Sequence, residues 1–249
     1  MSTPHLADIN VLLGRPPRRD VGPGTVPALL SNMDRVGIAE AVVGHFQSWL
    51  HDPAEGNQQL IAELKGEPRL RPCWTMLPDS CGEIAPPAEF VTAAREAGVV
   101  AVRAYPHDHD YDLGGPDTAA MLDTLAAEGI PLLVDAPQAG WPVLEAVAKK
   151  HPTLRLIACR AGYRTLRRIA GVLGRTDNLY LDTANLSSHC GLEWLVERFG
   201  AERFFFGTAN PEHDPAETVT RLLWSELSDE QVSTIGSENY RNLFGKQAA

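Results

Sequence analysis

The chain has 249 residues, of which 44% are hydrophobic and 22% charged, with a formal net charge of -10 at pH 7. This is enough for one large core over residues 1–249, and α/β barrels reach that size without dividing into two domains. The acidic balance counts against nucleic acid or an anionic membrane as partner, because phosphate recognition needs a basic stripe and the basic residues here are interspersed with acids.

Glycines mark the predicted elements, since Gly after a helix tolerates the left-handed conformation that ends it and lets a strand begin soon after. The first strand is LADINVL, 6–12, and the helix after it stops at Gly37 behind SNMDRV. AEAVVGHF, 39–46, is the second strand, followed by a helix ending LIAELK at Gly66. RLRPCWTML, 69–77, comes next, then TAAREA and Gly98, then VVAVRAYP, 99–106. The helix MLDTLAAE places Met121, Leu122 and Leu125 on one face and stops at Gly129. PLLVDAP, 131–137, leads into WPVLEAVAKK, amphipathic through Val143, Leu144 and Val147 and stopped by His151 and Pro152. LRLIACRA, 154–161, precedes a helix ending at Gly174; NLYLDTAN, 178–185, precedes one ending at Gly200. RFFFGTAN, 203–210, is the eighth strand. A last helix is expected from Ser228, capped reciprocally with Gln231, to near Gly245.

Eight short apolar runs alternating with amphipathic segments fit a closed (β/α)8 TIM barrel with a C-terminal extra helix better than an open doubly wound sheet. The latter would carry a glycine-rich phosphate loop after its first strand, and none is present. Nucleophile-elbow and Walker motifs are missing as well. Cys73, Cys81, Cys159 and Cys190 show no close pairing, which fits a reducing, cytoplasmic setting. Neither a charged start leading into an apolar run nor a span of ~20 apolar residues is seen, so neither export nor a membrane anchor is expected.

A barrel of this kind carries its chemistry at the carboxyl ends of the strands. The polar residues there are Asn10, His45, Trp74, Arg103 with Tyr105, Asp135, Cys159 with Arg160, Asp182 with Asn185, and Thr208 with Asn210. Their recurrence at one end of an apolar barrel implies a wet, hydrogen-bonded pocket, because unpartnered polar groups are costly to bury. His45 is a lone histidine at a strand end, either an acid-base residue or a hydrogen-bonded wall. Cys159 reads as a small core residue rather than a nucleophile, and Arg164, Arg167 and Arg168 as a solvated helix face. Arg15, Arg18 and Arg19 could clamp an anion over the pocket mouth or be surface charge.

Six segments in order carry a resemblance to the amidohydrolase superfamily, in its amidohydrolase-related branch of metal-dependent hydrolases and decarboxylases. ADINVLLGRPP resembles the family's opening D-x-H-x-H-x-G, HDPAEGNQQL its second loop, PLLVDAP its fifth strand, HPTLRLIACRAG its sixth, FFFGTANP its eighth, and ENYRNLFG its terminus. The resemblance puts the family's metal positions at Asn10 and Leu12, Asp135, Arg160 and Ala209. Leucine and alanine ligate nothing, and arginine brings a fixed positive charge, so no metal and no other cofactor is expected. Asp135 and Arg160 should pair, either to supply the charge the metal supplied or as a structural ion pair.

The resemblance also places His109 and Tyr111, in the loop after the fourth strand, near substrate, and makes Asp182 a structural residue of the rim. A rearranged metal site on His107 and His109 stays open. Two functions follow. One is a metal-independent hydrolase or lyase acting on a small carboxylated molecule, with His45, Asp135 and Arg160 as catalytic groups and Asn10, Trp74, Arg103, Tyr105, His109, Tyr111, Asn185 and Asn210 binding substrate. The other is a catalytically inactive barrel that binds a ligand or partner. A homo-oligomer is compatible with either.

Overall fold

The structure, a computed structural model, describes residues 5–16 and 24–245. Eight parallel strands pair in chain order: β1 (Leu6–Leu13), β2 (Ile38–His45), β3 (Leu70–Thr75), β4 (Ala101–Ala104), β5 (Leu132–Asp135), β6 (Leu156–Cys159), β7 (Leu179–Asp182) and β8 (Phe204–Phe205). β8 and β1 close the ring through the Ile9 N–H on the Phe206 carbonyl at 3.0 Å and the Leu12 N–H on the Asn210 carbonyl at 2.8 Å. Around the barrel run α1 (Val26–Val36), α2 (Phe46–Leu50), α3 (Pro53–Glu63), α4 (Pro87–Glu96), α5 (Pro116–Glu128), α6 (Ala136–Ala139), α7 (Trp141–Lys150), α8 (Leu166–Leu173), α9 (Gly191–Phe199) and α10 (Pro215–Leu223). No helix among the described residues is long and apolar enough to cross a membrane.

Two apolar layers result from the period-2 alternation of buried strands. Val102, Val134, Ala158 and Leu181 face the helices and pack with Leu125, Leu144 and Leu195. Ala7, Ile9, Val42, Cys73, Ala101, Leu133, Ile157 and Phe205 fill the interior, and Tyr240, Leu243 and Phe244 close it from below. Two residues beyond the interior Ala101 and Leu133 lie Arg103 and Asp135. Periodicity alone therefore turns both toward the axis at the carboxyl end. The same count turns Trp74 outward, one residue after the interior Cys73, onto Phe90 of α4 at a ring separation of 5.6 Å.

The C-terminal segment begins with the expected reciprocal cap between Ser228 and Gln231, but it is not one regular helix. α11 (Asp229–Ser233) passes through a π turn at Thr234–Glu238 before α12 (Asn239–Phe244). In the π turn the Ile235 carbonyl accepts the N–H of Phe206, the residue after β8, at 3.0 Å, which satisfies that buried donor.

Candidate functional site

An ionic network lies across the interior at the strand ends. Asn10 is its hub on β1: its Nδ2 donates to Asp182 Oδ2 at 2.6 Å and its Oδ1 accepts from Arg103 Nη1 at 2.7 Å. The other η nitrogen of Arg103 donates to Asp135 Oδ1 in a very short bond. Asp135 Oδ2 lies 3.4 Å from Arg160 Nη1, which also donates to Glu212 Oε2 at 2.5 Å. The Arg160 N–H returns to Asp182 Oδ1 at 2.8 Å, closing a ring of strands one, four, five, six and seven. Beside it Asp8 accepts the N–H of Asn10 at 2.9 Å and the N–H and hydroxyl of Thr208 at 3.0 and 2.5 Å.

Burial decides the charge states. Arg103 is only 3% exposed, and desolvation, the largest single influence, works against its charge, yet Asp135 together with Tyr105, Cys159 and Cys73 more than offsets it and holds the guanidinium well above its ordinary pKa. Asp8 and Asp182 are wholly buried, and desolvation lifts each to about 7 despite the hydrogen bonds they accept. Arg160 and Glu212 are the members open to solvent, with side chains 23% and 27% exposed. Arg160 and Ala209 both adopt left-handed backbone, φ 50° and 56°, a conformation that strains any residue other than glycine.

The expected pairing of Asp135 with Arg160 is present, but the closer partner of Asp135 is Arg103. His45 stands apart. Its Nδ1 accepts the N–H of Gln47 at 3.0 Å and its Nε2 lies 3.5 Å from Glu63 on α3. Burial lowers its pKa, with Glu63 opposing. The ring fits beneath Gly14, where an added Cβ would come within 2.8 Å of it. Trp74 belongs to the core between barrel and helices.

A cluster of aromatic residues adjoins the network at Arg103. Tyr105 stacks on Trp49 of α2 with centroids 4.9 Å apart, His109 meets its edge at 5.7 Å, and Arg103 lies over its ring at 5.4 Å. Trp49 and Gln138 both donate to Asp108 at 2.6 Å, tying α2, the loop after β4 and α6 together. Burial opposes the Asp108 charge, but hydrogen bonds from His107, Trp49 and Gln138 hold its pKa below the usual carboxylate value. Tyr111 is half-buried against the outer core. Asn185 is half-buried in left-handed backbone at φ 58°. Asn210 turns its side chain outward, accepting from Asn32 at 3.2 Å, and borders a flank groove of about 800 Å³ between α1 and the loop before α10. Arg15 is exposed; Arg18 and Arg19 lie outside the described residues.

A divalent metal does not fit the side chains in this network. Leu12 and Ala209 offer no donor atom, and the Arg103 guanidinium fills the space between Asn10 and Asp135. Among the described residues no three His, Cys, Asp or Glu side chains converge on one point. Nor do His107 and His109 make a pair of ligands: one holds Asp108 at 3.0 Å, the other the Trp49 carbonyl at 2.7 Å.

Glu212, Trp49 and the role of Asp8 are not marked by any pattern in the sequence. Asp8 lies in ADINVLLGRPP, the segment that resembles the family's opening motif. Glu212 follows the eighth strand by a few residues, but no periodicity marks a loop residue as facing the axis.

A family model described as amidohydrolase matches residues 14–246. No curated protein matches the chain. Several solved structures share the fold at low identity. An uncharacterised TIM-barrel protein from Bordetella bronchiseptica superposes with a TM-score of 0.77 at 16% identity, covering 98% of this chain and 100% of that one. A 2,6-dihydroxybenzoate decarboxylase from Rhizobium gives 0.79 at 13% identity, with 99% and 100% covered. A dihydroxybenzoic acid decarboxylase from a Polaromonas species, solved with bound manganese and 2-nitroresorcinol, gives 0.79 at 14% identity, with 99% and 98% covered.

Proposed function

We propose, for a chain that belongs to the amidohydrolase family, that the barrel binds a small carboxylated molecule at Arg160 and acts on it as a hydrolase or lyase without a catalytic metal. The reading rests on one observation, the buried Arg103 guanidinium bridging Asn10 and Asp135. In a low-dielectric site a fixed cation stabilises negative charge developing on a substrate without needing to reorganise. Arg103 supplies that charge from inside the barrel. Arg160, partly open to solvent, supplies a planar fork suited to a carboxylate. Trp49 and His109, half-buried around the fully buried Tyr105, would give such a ligand an aromatic flank.

Asp135 acts here as the anchor of both guanidiniums. Proton transfer falls to groups nearer the opening, since His45 lies outside the ring. The fold relatives named for decarboxylation of dihydroxybenzoate make carboxylated aromatics the first substrates to assay. The four cysteines are free, in keeping with a reducing, cytoplasmic setting.

A second reading, a barrel that binds the same class of ligand without turnover, draws on the engagement of Asp135. At 3% exposure and with two guanidinium partners it is not placed to accept a substrate proton.

Elemental analysis of freshly purified protein, joined to melting curves before and after chelation, tests the metal-free reading. The expected result is no stoichiometric divalent ion and an unchanged melting temperature. Stoichiometric manganese or zinc whose removal lowers the melting temperature would overturn it. Carbon dioxide release or hydrolysis product from carboxylated aromatics, measured on chelated protein, separates the enzyme from the inactive barrel.

A further inference from the structure

We infer that Glu212 is an internal competitor for the ligand: its carboxylate occupies the place on Arg160 that a ligand carboxylate takes, and ligand binding displaces it. The inference rests on the carboxylate-binding reading of Arg160 given above and adds the residue that has to leave for a carboxylate to bind there.

Among the described residues, both side-chain contacts of Arg160 come from one nitrogen, Nη1, to Glu212 at 2.5 Å and to Asp135 at 3.4 Å. A guanidinium presents five N–H donors in a fixed fork, so most of its donor capacity is not committed to these two oxygens. An incoming carboxylate has two anions to contend with, and they differ in what their removal entails. Asp135 has a side chain only 4% exposed and is also held by Arg103, so moving it would strand a buried cation and a buried anion together. Glu212 has one guanidinium partner and a side chain already 27% exposed, on the loop between β8 and α10. Rotating it into water loses a single charge-assisted bond and leaves no buried charge unpaired.

Exchange of Glu212 for a ligand carboxylate also keeps the anion count around Arg160 unchanged. Before binding the guanidinium is not left uncompensated, and after binding it is not overloaded. A neutral amide of the same shape cannot make that exchange, because it offers no charge to replace the one it expels. An amide that binds beside Arg160 leaves Glu212 in place, so its affinity depends less on that carboxylate.

Titration of wild type, Arg160→Gln, Glu212→Gln and Glu212→Ala with benzoate and with benzamide, read by ligand-observed NMR, tests this. Melting curves show which variants are folded. Loss of the competing charge should tighten benzoate binding by roughly 5- to 10-fold in both Glu212 variants. Benzamide should gain less, and Arg160→Gln should lose benzoate. If Arg160→Gln abolishes benzoate binding while the Glu212 variants bind it no better than wild type, the competitor role is overturned and the Arg160 site stands. If benzoate binds all four equally, or none of them, the Arg160 reading itself fails. Two Glu212 replacements guard against a single misfolded variant.

Discussion

Replacing Arg103 by methionine removes the central cation while keeping much of the side-chain volume. Two losses follow from the contacts. The Asp135 carboxylate, 3% exposed, keeps only the 3.4 Å approach of Arg160, and the Asn10 Oδ1 that accepted Arg103 at 2.7 Å is left without that donor. A charge-assisted hydrogen bond contributes about 1.5–3 kcal/mol, and a buried acceptor left bare costs about 1–3 kcal/mol. Breaking a buried ion pair by removing one partner destabilises by about 3–5 kcal/mol, within the range these two effects span together. For a chain of this size that is a fall in melting temperature of about 6–20 °C.

The assay is chemical denaturation of wild type, Arg103→Met, Asp135→Leu and the double variant, comparing midpoints and slopes. Exchanging both partners for apolar groups removes the unpaired charge, so the double variant should recover about 2 kcal/mol or more of the summed losses. A single variant within about 1 kcal/mol of wild type, or simple additivity in the double, would refute the claim that Arg103 and Asp135 hold each other in the barrel.

The pH dependence of stability should be unusual. Asp8 and Asp182 are lifted from 3.8 to about 7 by burial, so the folded chain binds protons that the unfolded chain has released, and their contribution to stability diminishes as pH rises through that interval. Asp8→Asn removes one of the two contributions, so its melting temperature should fall less than that of wild type between about pH 5 and about pH 8; parallel profiles would count against a protonated Asp8. Gly207→Ala would bring a Cβ to 2.8 Å from Asp182 Oδ2 and push that carboxylate off Asn10. A loss of about 1–3 kcal/mol in denaturation is expected. Introducing donors with Leu12→His and Ala209→Asp should still give no manganese binding by calorimetry while Arg103 remains, because the cation keeps its seat; tight binding would show that Arg103 yields.

Much of the barrel is legible in the sequence because a strand buried on both faces leaves a run of apolar residues and a helix stop leaves a glycine. Gly37, Gly129 and the Ser228–Gln231 cap fall where the chain places them. Strand lengths are less legible. The run RFFFGTAN reads as eight residues, yet only Phe204–Phe205 form β8, since the rest bends to bring Thr208 to Asp8 and Asn210 to β1. The inward direction of Arg103 and Asp135 follows from period-2 counting against Ala101 and Leu133. What counting does not give is distance across the barrel. That Asp135 is nearer Arg103 than Arg160, or that Glu212 reaches in from a loop, depends on side-chain reach and backbone bends, including the left-handed turn at Arg160. His45 shows the limit from the other side: a histidine at a strand end can serve the outer layer, and here Gly14 and Glu63 claim it.

A positive charge borne by Arg103 is installed by translation at one per molecule. On the proposed metal-free reading, it cannot be stripped by a chelator, replaced by a wrong ion from the surrounding pool, or left out when supply is short. The arrangement also forgoes adjustability: a metal can be swapped or its bound water retuned, whereas a guanidinium wedged between an amide and a carboxylate has one geometry and one charge. On that reading, diversification of this barrel would have to come from the loops around its opening.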